Sequence, residues 1–93
     1  MSHEPTQARV REFVLNQFPL ARKRALADGD PLLSHGILDS LGILEVVAFV
    51  EREFSITVDD EELVPESFAS IASIASFVDG KLARTRGDRA GGG

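Results

Sequence analysis

The sequence predicts an all-α bundle around one core, and three observations carry that expectation. Apolar residues return at helical spacing in three separate segments. The one stretch that alternates, Ile56 and Val58, has no second strand to pair with and reads as an extended connector. Ninety-three residues, 43% of them hydrophobic, make one small domain with enough apolar material for a single core.

The first helix is expected from about Pro5 to Phe18. Val10, Phe13, Val14 and Phe18 fall at i, i+3, i+4 and i+8, on one face. Pro19 ends that helix or tilts the next segment, because proline lacks an N–H and fixes φ. Residues 19–39 contain Gly29, Pro31 and Gly36 and show no sustained period, so they read as a long loop. A loop of that length is uncommon in a compact domain unless it is functional. Leu26, Leu32, Leu33, Ile37 and Leu38 can pin it to the core. The segment Arg24–Ala27 can form a short helical turn, and the basic trio Arg22, Lys23 and Arg24 reads as solvated.

The second helix is expected from Ser40 to Phe54. Ile43, Val47, Val50 and Phe54 form its inward face, while Leu41, Leu44 and Ala48 form a second stripe. Val46 and Phe49 widen the apolar surface, so the helix is expected to be covered on more than one side. Gly42 costs about 1 kcal/mol relative to alanine in a helix, and a loose first turn is expected there. Further on, "DDEELV" and "ESF" read as short helical turns around Pro65. Ser67 or Ser70 can cap the last helix, whose face is Ile71, Ile74, Ala75, Val78 and Leu82. Lys81 and Arg84 sit where they suit the negative end of its dipole. The domain is expected to span residues 1–84, with the polar, glycine-rich residues 85–93 as a disordered tail.

Charge and composition exclude several classes. Twelve acids but only one base, Arg52, lie between Asp28 and Asp79, and the net charge is −5. That acidic middle is expected to repel nucleic acid and attract basic protein partners, and a solvated acidic surface accounts for the charge equally well. There is no cysteine, so no disulfide framework and no thiolate metal site, and His3 and His35 lie outside metal-ligand spacing. "MSHEPTQARV" has no apolar run, so neither a signal peptide nor a membrane span is expected, and a cytoplasmic location is.

The chemistry-bearing feature is "GILDSLGILEVV", residues 36–47, where Ser40 opens an apolar helix. Ser40 or Asp39 can cap that helix through a side-chain oxygen. A nucleophilic role needs a base and an oxyanion hole, and the strand-borne G-x-S-x-G elbow is missing: the window is Leu38-Asp39-Ser40-Leu41-Gly42. A serine at a helix N-terminus can also carry an attached phosphate group, because free N–H groups and the dipole favour an anion there.

The segment "GILDSLGILEVVAFVEREFSITV" resembles the core of acyl carrier proteins and the related peptidyl and aminoacyl carriers. The shared features are Asp39-Ser40-Leu41 at the start of the helix, Glu45 one turn on, and Glu51-Arg52-Glu53-Phe54 at its end. The resemblance extends over roughly residues 5–84 and includes the acidic "DDEELVPESF" and the closing "IASIASFV". It implies a four-helix bundle with a short third helix and a long first loop. It also implies no catalytic residue, and a 4′-phosphopantetheine arm from coenzyme A on Ser40, placed there by a phosphopantetheinyl transferase that Asp39 helps to orient. The arm's thiol would hold acyl or aminoacyl groups as thioesters, delivered by a loading ligase or synthase. Leu41, Leu44, Glu45, Ala48 and Glu51 would then form the partner-binding face, with Glu53 near it. Gly42 in place of an acid, Arg52 within the acidic run, Ala48 in place of methionine and Leu38 before Asp39 depart from central fatty-acid carriers and suggest a specialised, stand-alone carrier. A monomer is expected, since a modest outer stripe suits transient docking. The competing reading is a plain helical interaction module in which Ser40 stays unmodified.

Overall fold

Among the described residues, four α-helices and two 3-10 turns succeed one another: α1 (Thr6–Gln17), α2 (Pro19–Lys23), α3 (Ser40–Phe54), 3-10 turns at Asp60–Glu62 and Pro65–Phe68, and α4 (Ile71–Gly92). The structure is a computed structural model that describes the backbone of residues 5–92 and the side chains of residues 5–84. The expected tail begins inside α4, whose backbone continues to Gly92, and the side chains of residues 85–93 lie outside those described. The all-α expectation holds, with no strand among the described residues and Ile56 and Val58 in an extended connector.

α1 buries Val10 and Val14 completely and packs chiefly on α4, whose Ile71, Ile74 and Val78 share the same core. Pro19 both ends α1 and starts α2, because its fixed φ suits the first helical position, where no N–H is needed. The short helix is therefore Pro19–Lys23 rather than a turn at Arg24–Ala27. Where the resemblance implies a short third helix there are two separate 3-10 turns, since Pro65 supplies no N–H to continue the first. Ser70 caps α4: its Oγ accepts the Ser73 N–H at 3.1 Å. Because α4 runs past Arg84, Lys81 and Arg84 do not serve a helix terminus. Both instead pair with Glu62, at 2.8 and 3.4 Å.

The inward face of α3 is rotated from the expected one. Gly42, Val46, Val50 and Phe54 are buried, while Ile43, Val47 and Phe49 are half-buried. Gly42 belongs to this row because the chain crowds it. A Cβ placed on it would lie 3.0 Å from Leu38 Cδ2, 3.3 Å from Asp39 Oδ1 and 3.3 Å from Phe18 Cε1. The first turn of α3 is closely packed, contrary to the loose turn expected from glycine's propensity.

The long segment after α2 is a wall of the core. Leu26, Leu32, Ile37 and Leu38 are all buried. Its backbone is tied to the start of α4: Leu32 N–H donates to Ala69 O at 2.7 Å, and Ala72 N–H donates to Asp28 O at 2.9 Å. A turn at residues 33–36 aims Ile37 and Leu38 inward, with Gly36 at φ +73°, a conformation that glycine adopts without a Cβ clash.

Two carboxylates brace these connections. Asp28 accepts from Gln7 and from Arg11 Nη1, the latter at 2.8 Å, and the Gln7 bond is the main cause that lowers its pKa, against an opposing effect of burial. Glu62 accepts from Lys81 and from the Asp59 N–H, and the Lys81 bond leads in lowering its pKa. A carboxylate whose folded pKa is depressed contributes stability above its unfolded pKa and loses it as pH falls through the folded value. The melting temperature is therefore expected to hold from neutral pH to the unfolded carboxylate pKa of about 4 and to fall below it. Glu62→Gln is expected to melt lower at pH 7 and to lose part of that acid dependence, as thermal melts at pH 7 and pH 3 would show.

Gly42 and Gly80 give a paired prediction. Gly80 lies inside α4 with nothing within 4 Å of a new Cβ. Gly80→Ala should stabilise by up to about 1 kcal/mol. Gly42→Ala should gain nothing or lose, since overpacking costs about 1–3 kcal/mol. Chemical denaturation of the two variants beside the parent reads both outcomes.

Candidate functional site

Asp39 is the N-cap of α3, and its Oδ1 accepts the Gly42 N–H at 2.8 Å. The Ile43 N–H is taken by Asp39 O at 2.9 Å. Ser40 is thereby relieved of the capping task. It is the first helical residue, is exposed, and its hydroxyl makes no hydrogen bond among the described residues. The N–H groups of Ser40 and Leu41 likewise find no backbone acceptor there. An unspent hydroxyl beside free N–H donors at the positive end of a fifteen-residue helix is a favourable seat for a phosphodiester.

The expected outer stripe is where the sequence put it. Leu41 and Leu44 are 70% and 54% exposed, the two most exposed large hydrophobic side chains described, and Ala48 is exposed beside them. The acids around the stripe have local partners. Glu45 Oε1 accepts from Gln17 Nε2 at 3.0 Å, which ties α3 to the end of α1. Glu51 is half-buried, and its Oε2 accepts the Val58 N–H at 2.9 Å, holding the connector after α3. Glu53 pairs with Arg9, whose guanidinium also lies 4.6 Å from the Phe54 ring centroid. Glu45 is exposed, whereas the half-buried Glu51 is the more committed to the fold.

Residues that periodicity did not mark as functional support this turn. Phe18 lies against Gly42, and Leu38 closes it from the loop side. The basic trio Arg22, Lys23 and Arg24 is exposed on and just after α2, with no ion pair among the described residues. His35 is exposed in the loop. Among the described residues, no group of acidic and histidine side chains is arranged to hold a metal ion, and no helix is long and apolar enough to cross a membrane.

A family model described as the phosphopantetheine attachment site matches residues 8–78. The chain belongs to the acyl carrier protein family. It is also similar to a probable acyl carrier protein, PigG, of Serratia sp. (strain ATCC 39006), with 26% identity over 72 residues that cover 77% of this chain and 83% of that protein. As an acyl carrier protein it is a carrier and not a catalyst, and its cofactor is 4′-phosphopantetheine. Carriers of this family meet a phosphopantetheinyl transferase and acyl-loading enzymes.

The division of labour between Asp39 and Ser40 has a direct stability signature. Asp39→Ala removes the cap and should cost about 1 kcal/mol, a fall in melting temperature of about 4–8 °C for a domain of this size. Ser40→Ala removes a hydroxyl without a partner and should stay within about 0.5 kcal/mol of the parent. Thermal melts of the two unmodified variants show which of the two residues caps the helix.

Proposed function

We propose that Ser40 is the residue that carries the phosphopantetheine arm. The observation that supports this most is the exposed, unbonded Ser40 hydroxyl at the first position of a helix already capped by Asp39. In the attachment step Ser40 Oγ forms a new bond to the pantetheine-side phosphorus of coenzyme A. The diphosphate bond breaks, adenosine 3′,5′-bisphosphate leaves with the bonding pair, and the hydroxyl proton passes to a base on the transferase. Asp39 contributes by fixing the turn that presents the acceptor, and its exposed carboxylate is open to the transferase. The two free N–H groups then face the new phosphodiester. The arm supplies a terminal thiol on which acyl or aminoacyl cargo is held, so a chain without cysteine needs no thiol of its own.

Partner recognition is proposed to run along α3. Leu41, Leu44 and Ala48 offer the apolar contact, and Glu45 and Glu51 at their edge steer toward basic surfaces on the transferase and on the loading ligase or synthase. Gly42 and Ala48, which depart from central fatty-acid carriers, support a role in a specialised fatty-acid-like, polyketide or nonribosomal-peptide-type route. A monomer in the cytoplasm suits transient docking and the lack of cysteine.

Intact mass before and after incubation with coenzyme A, magnesium and a broad-specificity phosphopantetheinyl transferase tests the assignment. The parent is expected to gain one phosphopantetheinyl group and Ser40→Ala none. An unchanged parent, with a known carrier converting in the same tube, would reduce Ser40 to the first residue of a helix and leave the α3 face as a binding surface alone.

A further inference from the structure

Gly42 is buried in the same turn as Ser40, and the ring that crowds it comes from the far side of the long loop in sequence. Phe18 is the residue between α1 and α2, and its Cε1 would stand 3.3 Å from a Cβ at position 42. That Cβ would also stand 3.3 Å from Asp39 Oδ1, the oxygen that accepts the residue's own N–H. A side chain at position 42 thus meets the Phe18 ring and the capping carboxylate at once.

Phe18 is held from behind. Its N–H donates to Val14 O at 3.0 Å, closing α1. Its ring meets Phe13 edge-on at 6.2 Å, Phe13 stacks on Phe49 at 4.1 Å, and Phe49 meets Phe54 edge-on at 6.1 Å. The bond from Gln17 to Glu45 fixes the same junction one turn further along α3. An aromatic chain therefore runs from the end of α3 back to its first turn and ends on a bare Cα.

We infer that Phe18 is a positioning residue: its ring, seated on Gly42, sets the turn that presents Ser40, and glycine is at position 42 to admit that ring. The functional half of this inference rests on the reading of Ser40 as the attachment residue. The structural half, that the ring and the bare Cα together set the Asp39-capped turn, stands apart from it. The effect on attachment falls on turnover more than on docking, because Phe18 meets Gly42 on the buried side of α3 whereas Leu41 and Leu44 are exposed.

The test is a rescue cycle of Gly42→Ala, Phe18→Leu and the double variant, all checked for folding by circular dichroism and assayed below their melting temperatures. Transfer from coenzyme A by a broad-specificity transferase gives kcat and KM. Amide hydrogen exchange at position 42 reports the bond to Asp39 whether or not Ser40 is modified. Each single variant is expected to lose about tenfold or more in kcat, with little change in KM, and to exchange faster at position 42. The double variant, which nearly restores the original volume at the contact, is expected to return to within about threefold of the parent in both readouts. Single variants that keep parental turnover and protection would overturn the inference. So would a double variant no better than the worse single, since the new methyl would then be meeting Leu38 or Asp39 rather than Phe18. Should the parent itself gain no phosphopantetheine, the reading of Ser40 fails, and the exchange rates still decide whether Phe18 sets the turn.

Discussion

The first turn of α3 is where the separate parts of this chain meet. Asp39 closes it by accepting the Gly42 N–H, Leu38 packs on it from the loop, and Phe18 packs on it from the α1–α2 junction. None of these contacts stands alone. Leu38 is placed by a loop whose backbone is bonded to the start of α4 through Leu32 and Asp28. Phe18 is placed by α1, which is itself packed on α4. The turn that exposes Ser40 is thus fixed by the core as a whole, although Ser40 itself is exposed.

That arrangement suits a protein whose chemistry is done by others. A carrier has to offer one hydroxyl in a constant place and a surface that partners can find and leave. The inner side of α3 is used up by packing at Gly42, Val46, Val50 and Phe54, and its outer side leaves Leu41, Leu44 and Ala48 in solvent. The charges divide in a similar way. Arg9, Arg11, Lys81 and Arg84 each pair with an acid of the fold, whereas Arg22, Lys23 and Arg24 stay exposed without one among the described residues. Exposed pairs of this kind add little stability individually. Glu62, four-fifths buried and held by Lys81 and the Asp59 N–H, is the exception that anchors the 3-10 region to α4.

The helices and the serine were legible in the sequence because both announce themselves locally. The period of apolar residues in α1, α3 and α4 and the Asp39-Ser40-Leu41 start of α3 need no knowledge of tertiary structure. What was not legible is what depends on contact at a distance. Gly42 reads as a weak helix residue until Phe18, twenty-four positions earlier, is seen against it. The inward face of α3 is hidden for the same reason: glycine adds nothing to a count of hydrophobic residues, so the row ending at Phe54 lacks its first member in the sequence pattern. In the sequence Pro19 reads as the end of one helix or a tilt in the next segment, and its use as the first residue of the short helix Pro19–Lys23 shows only in the structure. Lys81 and Arg84 suit a helix end by their position in the sequence, yet α4 runs on past them, and their partner Glu62 does not show in the spacing.

Site mapping of the modified protein tests the central claim most directly. After treatment with transferase and coenzyme A, trypsin should release a peptide of residues 25–52, which contains both Ser34 and Ser40. Fragmentation is expected to place the phosphopantetheinyl group on Ser40, the residue that the Asp39 cap leaves unbonded at the head of α3. The group on Ser34, or on a peptide outside residues 25–52, would contradict the account, because the attachment would then owe nothing to the capped turn on which it is built.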